Sequence, residues 1–208
     1  MHRPVLAAFA AAALLGGAAV AQPAMNFPPP AISPADLPAG HYVSDAHHTA
    51  LTMRVHHMSM TYSTFRMNKV DASFDYDPAH PTASKVTATI DANSFDQGDA
   101  AISTRFAKEF LGAEANPTIT FTSTSIKVTK GNQGTMTGDL TLEGVTKPVT
   151  LDVTFDGSRP AGGMGPARAG FSAHGVVTRS DFGKLAMPDA IVGDKVDIAL
   201  EIEFTKAS

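Results

Sequence analysis

The chain has no cysteine, no tryptophan and only 3 tyrosines among its 208 residues. The missing cysteine removes several function classes at once: no disulfide framework, no thiol nucleophile and no cysteine to carry an acyl anchor. Stability must come from the core. Charge is also scarce, with 17% charged residues and a formal net charge of −4, which gives no reason to expect nucleic acid or an anionic membrane as partner. A membrane-length apolar run is absent. The longest stretch, 5–20, is mostly alanine and falls short of the roughly 20 residues a span requires. The G-x-S-x-G signature of one large hydrolase class does not occur. GNQGTMTG at 131–138 looks superficially like a phosphate loop, but it lacks the following Gly-Lys-Ser/Thr and sits in a hairpin. Little in the sequence supports an enzyme.

The N-terminus has a basic start at His2 and Arg3, an apolar run, and a small-x-small ending at Ala19-Val20-Ala21. This is the three-part pattern of a signal peptide over 1–21, and it predicts export, to the periplasm in a double-membraned bacterium. Residues 22–40 contain six prolines and no periodicity, and are expected to form a flexible tether. One domain then fills 41–208.

From His41 the pattern has period two, the mark of strands with one buried face. Leu51, Met53 and Val55 alternate with Thr52 and Arg54. Similar runs lie at 86–91, 119–121, 140–142, 149–155, 171–177 and 196–204. One segment is helical: Ile102, Phe106 and Phe110 recur every four residues, with Leu111 beside them. Asp99 is its expected N-cap and Gly112 its stop, which places a short α-helix at about 99–111. Seven or eight short strands with one helix predict a mainly β antiparallel barrel or sandwich. A closed barrel of eight strands leaves no exposed edge, and it encloses room for side chains or one small ligand.

Five of the 8 histidines fall within 41–57, and HHTALTMRVHH at 47–57 invites a metal-site reading. Strand geometry argues against one ion bridging the two pairs. At about 3.3 Å per residue, His47 and His57 lie roughly 33 Å apart on a straight strand, and adjacent histidines face opposite ways. Parity instead places His57 on the face of Leu51, Met53 and Val55, and His56 on the other. His57 is then either a head-group contact or a satisfied core histidine. Arg179 shares parity with Phe171, Ala173 and Val177; it faces inward or sits at the barrel mouth, with Asp181 close enough to neutralise it. The pair is either a structural clamp on the turn 181–183 or a polar contact for a ligand. The inward faces mix large and small residues, Met53, Phe121, Gly138, Leu140, Phe171, Ala173 and Gly175, a mixture compatible with a packed core or an open channel.

Several motifs, in order, resemble the YceI-like family of exported polyisoprenoid-binding, lipocalin-like barrels. They are HYVSDAHHTALTMRVHHM at 41–58, Arg105-Phe106 through Phe110-Leu111 followed by NPTITFTST, GDLTLEGVTKPVTL at 138–151, TRSDFG at 178–183, and VGDKVDIALEIEF at 192–204. The sequence departs from the family at Ser59, where a glycine is common, and at Asn116, where a tyrosine is usual. The resemblance implies an eight-stranded barrel that binds a long isoprenoid or fatty chain, such as a quinone tail, without catalysis, cofactor or metal. On that reading the cavity wall comprises Leu51, Met53, Val55, Phe121, Leu140, Leu142, Phe171, Ala173, Val177 and Leu200, with His57, Arg179 and Asp181 at the head group or mouth. The expected protein is a monomer or homodimer that does not span the membrane, with transient membrane contact as a route for ligand loading. A metal or haem carrier, and a ligand-free structural or stress-response module on the same fold, are the alternatives.

Overall fold

A computed structural model describes residues 29–31, 33–163, 165–183 and 186–208. The expected signal peptide over 1–21 lies outside the described residues.

The described residues form ten strands: β1 (Gly40–His57), β2 (Thr61–Met67), β3 (Val70–Tyr76), β4 (Lys85–Asp91), β5 (Phe95–Asp96), β6 (Thr118–Lys130), β7 (Gln133–Leu142), β8 (Val145–Arg159), β9 (Arg168–Thr178) and β10 (Val192–Lys206). Antiparallel pairing runs from β10 through β9, β8, β7, β6, β4 and β3 to β1, and β1 pairs back onto β10. These eight strands close the barrel. The other two are continuations. The long β1 pairs with β3 at one end (Val43↔Ser73) and with β2 at the other (Leu51↔Met67), so β2 and β3 behave as one bent strand. In the same way β5 extends β4 and pairs with β2. With β5 drawn away from β6, that end of the barrel is left incompletely closed.

Helix α1 (Ala100–Leu111) sits in this gap. Its ends follow the sequence expectation. The Asp99 carboxylate accepts the Ile102 N–H at 2.9 Å, and Gly112 ends the helix in the left-handed region at φ 58°. The helix's apolar side continues an aromatic row: Phe65 and Phe95 have ring centroids 5.0 Å apart, Phe95 and Phe106 6.4 Å, and Phe106 and Phe110 5.0 Å.

Pro148 in β8 looks out of place, because proline cannot donate to a ladder. It pairs with Asp139 of β7, but it lies beyond the last β8–β9 pairing, Leu151↔Gly175, where the second side of the strand is a free edge.

The opposite end is plugged. Tyr42 and Leu37 are almost wholly buried against Phe74, Phe155, Ile202 and Phe204. Tyr42 and Phe74 stack with centroids 5.0 Å apart, and Phe204 meets Phe74 edge-on at 4.8 Å. The described part of the expected tether, 29–31 and 33–39, is docked here rather than free. The Tyr42 and Tyr76 hydroxyls donate to the Pro38 and Pro34 carbonyls, both at 2.7 Å, and Ala31 exchanges backbone hydrogen bonds with Ser158. Proline-rich composition pointed to a tether, but Leu37 supplies apolar burial that the proline count concealed.

β1 is irregular between Ser44 and Thr49. The irregularity gathers Asp45, His48, Arg168 and Glu203. The Asp45 carboxylate bonds the His48 ring at 3.0 Å, the His47 N–H at 2.9 Å and Arg168 at 3.0 Å. The His48 and His47 bonds lead in holding this carboxyl down to about 2. Because the folded value is depressed, the stabilisation is present above the ordinary carboxylate range and is lost as pH falls through about 2. Acid titration of Asp45→Asn should show a smaller loss of stability between roughly pH 4 and pH 2 than wild type. Equal losses would show that Asp45 is not responsible.

Candidate functional site

Two apolar chambers lie inside the barrel. The outer one, under α1, has a volume of about 530 Å3. The inner one, toward the plugged end, has about 260 Å3. Leu51, Ile90, Leu140 and Ile198 line both and form a waist between them. Ligand pockets commonly measure about 300–1,000 Å3, so the pair is large enough for an organic ligand.

The strand faces explain the lining. Leu51, Met53, Val55, Leu140, Leu142 and Val177 line the outer chamber. Leu51, Phe121, Leu140, Phe171, Ala173 and Leu200 line the inner one. The small inward residues do not themselves make the space. A Cβ on Gly138 would collide with the Phe121 ring, and one on Gly175 with the Leu151 side chain, so both glycines are already covered by large neighbours.

The polar groups converge on the mouth. His57 lines the outer chamber half-buried; the exposed His56 also borders it, its ring tilted 34° against Tyr62 with centroids 4.0 Å apart. The His57 ring has no hydrogen-bond partner among the described residues. Arg179 also lines this chamber, but not as the partner of Asp181. Asp181 is exposed and does not line either chamber, and the carboxylates acting on Arg179 are Asp194 and Asp189. The reason is local: residues 179–182 form a 3-10 turn that carries Asp181 outward, while β10 begins beneath the guanidinium. Arg179 donates to the carbonyls of Val192, of Gly193 at 3.1 Å and of Met187 at 3.4 Å, and lies 5.9 Å from the Phe110 ring centroid. Burial pulls its pKa below the ordinary guanidinium value, opposed by the two aspartates. Glu143, at the β7–β8 turn, lines the mouth as well, and burial pushes its carboxyl up.

The sequence reading identified the helix face of Phe106, Phe110 and Leu111 without assigning it to the cavity, where all three belong. It missed Phe65, Phe95, Arg105, Glu109 and Glu143. The alternation Ser63, Phe65, Met67 was the available signal for the first of these.

The histidines of 47–57 go to separate places, so they do not assemble into one site. His48 instead joins Asp45 and Glu203, whose donor atoms all lie within 4.8 Å. Arg168 Nη1 already supplies a cation there, 3.0 Å from Asp45 Oδ2 and 3.3 Å from Glu203 Oε2. No helix among the described residues is long and apolar enough to cross a membrane.

Comparison with known proteins agrees with this architecture. The YceI protein of Salmonella newport is 40% identical over 143 residues, which cover 66% of this chain and 72% of that protein. BcnA of Burkholderia cenocepacia superposes with a TM-score of 0.66 at 26% identity, covering 77% of this chain and 98% of that one. A polyisoprenoid binding domain from Saccharophagus degradans shares the fold at a TM-score of 0.59 and 14% identity, over 80% of this chain and 98% of that domain. The YceI-like domain family matches residues 42–204, nearly the whole barrel, and the chain belongs to that family.

Proposed function

We propose that this protein binds a long-chain apolar lipid, a polyisoprenoid or the tail of an isoprenoid quinone, and carries or sequesters it without chemical change. One observation bears most of the weight: two apolar chambers in series, joined at a waist, suit an extended chain better than a compact molecule. Burial at about 25 cal/mol per Å2 supplies the affinity, and few polar contacts are needed. The fold shared with the Saccharophagus degradans polyisoprenoid binding domain is consistent with this reading. The N-terminal pattern supports action in the periplasm. Native mass spectrometry of the purified protein, followed by solvent extraction, tests the proposal. A co-purifying isoprenoid supports it; a ligand-free protein that ignores added prenyl alcohols overturns it.

The unpartnered His57 ring on the outer chamber favours a head-group role over a satisfied core histidine. His57→Leu should change the preference between prenyl alcohol and quinone head groups by about tenfold, the loss of one hydrogen bond in a dry site, with a smaller effect on chain-length preference. His56→Leu, at the more exposed border of the same chamber, should have the smaller effect on both. A larger effect at His56 would show that the outward face reads the ligand.

A further inference from the structure

Four exposed apolar side chains, Met58, Met60, Met187 and Ile191, belong to two loops at the helix end of the barrel. The loops abut: the Met58 N–H donates to the Ile191 carbonyl at 2.9 Å. Met60 is 73% exposed and Met58 50%. Single exposed apolar residues are ordinary, but a contiguous group is not. This group stands at the opening of the outer chamber, because Met187 and Ile191 also line that cavity.

The turn that carries the methionines is itself unusual. Met58 and Ser59 have φ values of 51° and 53°, and the Met60 N–H closes the turn onto the His57 carbonyl at 3.0 Å. Turns of this kind favour Asn-Gly, and two non-glycine residues with positive φ are costly. The chain accepts this backbone cost while holding two large apolar side chains in water.

We propose that this rim docks on the surface of a lipid bilayer, with Met58 and Met60 inserted at the headgroup boundary and the chamber mouth facing the membrane. The inference rests on the lipid-carrier reading. A long apolar ligand leaving the chamber into water would re-expose all its buried surface. With the rim seated in the interface, the ligand passes between two apolar phases. Methionine suits this role, being unbranched and adaptable to a fluid surface rather than a shaped pocket. Charge does not drive the contact. Arg105 of α1 pairs with Glu109 at 3.8 Å, Lys108 of α1 pairs with Glu114 beyond the helix at 3.7 Å, and Arg179 at the mouth is offset by Asp194 and Asp189, with Asp181 exposed nearby. Docking is therefore apolar, and anionic lipid does not strengthen it.

The test is sedimentation of the full chain with neutral phosphatidylcholine vesicles and with vesicles containing phosphatidylglycerol. Wild type should bind neutral vesicles at least as well as anionic ones, with no weakening in added salt. Met60→Asp and Met58→Asp should each reduce binding by at least about tenfold. Val43→Asp and Val176→Asp, at exposed valines that line neither chamber, should not. Farnesol titration of the same proteins separates the two proposals. Rim variants that keep farnesol affinity but lose vesicles support docking. Vesicle binding without farnesol binding in wild type would sink the carrier reading and leave docking intact. Absence of vesicle binding, equal loss in rim and control variants, or a rim that instead joins two copies of the chain by light scattering would overturn the docking proposal.

Discussion

Leu140→Trp is expected to weaken binding of long prenyl chains by about a thousandfold while leaving farnesol binding close to wild type. Leu140 lines both chambers, so a tryptophan there fills the waist. A short chain fits in the outer chamber and does not pass that point. A long chain loses its inner section. Each buried carbon contributes about 0.8 kcal/mol, so one five-carbon isoprene unit left outside costs about 4 kcal/mol. Every 1.4 kcal/mol is tenfold in affinity, which gives the predicted factor. Calorimetric titration with farnesol and with a long prenyl alcohol checks this. The farnesol arm also reports on folding, since an unfolded variant would bind neither. Equal weakening for both ligands in a folded variant would place the long chain elsewhere.

Arg179→Met is expected to destabilise the protein by about 2–4 kcal/mol, because it strands carbonyls that the guanidinium now satisfies. Val192, Gly193 and Met187 all present their carbonyls to Arg179. A methionine fills similar space but donates nothing. For a chain of this size the thermal midpoint should fall by roughly 5–15 °C. Arg179→Lys should recover only part of the loss, since one ammonium cannot reproduce a planar fork directed at several acceptors. Asp181→Ala should have little effect, in contrast to Asp194→Ala. The Asp194 carboxylate lies near Arg179 and also takes bonds from the Ser180 N–H and hydroxyl, both at 2.8 Å. Thermal melts of the four variants check the order. A large effect at Asp181 with none at Asp194 would restore the pairing that sequence spacing suggested.

The legible parts of this protein are those where a local rule acts alone. The ends of α1 could be read from Asp99 and Gly112, because capping depends on a few adjacent residues. The inward faces of β1, β8, β9 and β10 followed from period two, and so did the deeper burial of His57 than of His56, although both histidines border the outer chamber. Where two parts of the chain meet, spacing alone misled. Asp181 is two residues from Arg179 in sequence, yet the 3-10 turn separates them, and the effective carboxylates come from the far side of a loop. β2 and β3 were hidden because the bend between them breaks their alternation at Asn68-Lys69. The open or filled state of the interior was not legible either, because Gly138 and Gly175 are covered by neighbours that only the pairing register identifies.

The most direct measurement is the affinity of the wild-type protein for a series of prenyl alcohols of increasing length, by calorimetry at several temperatures. Two chambers in series predict that affinity rises with each isoprene unit until the inner chamber is full and then levels off. The heat-capacity change should become more negative over the same range. Affinity that is absent, or independent of chain length, would contradict the lipid-carrier account.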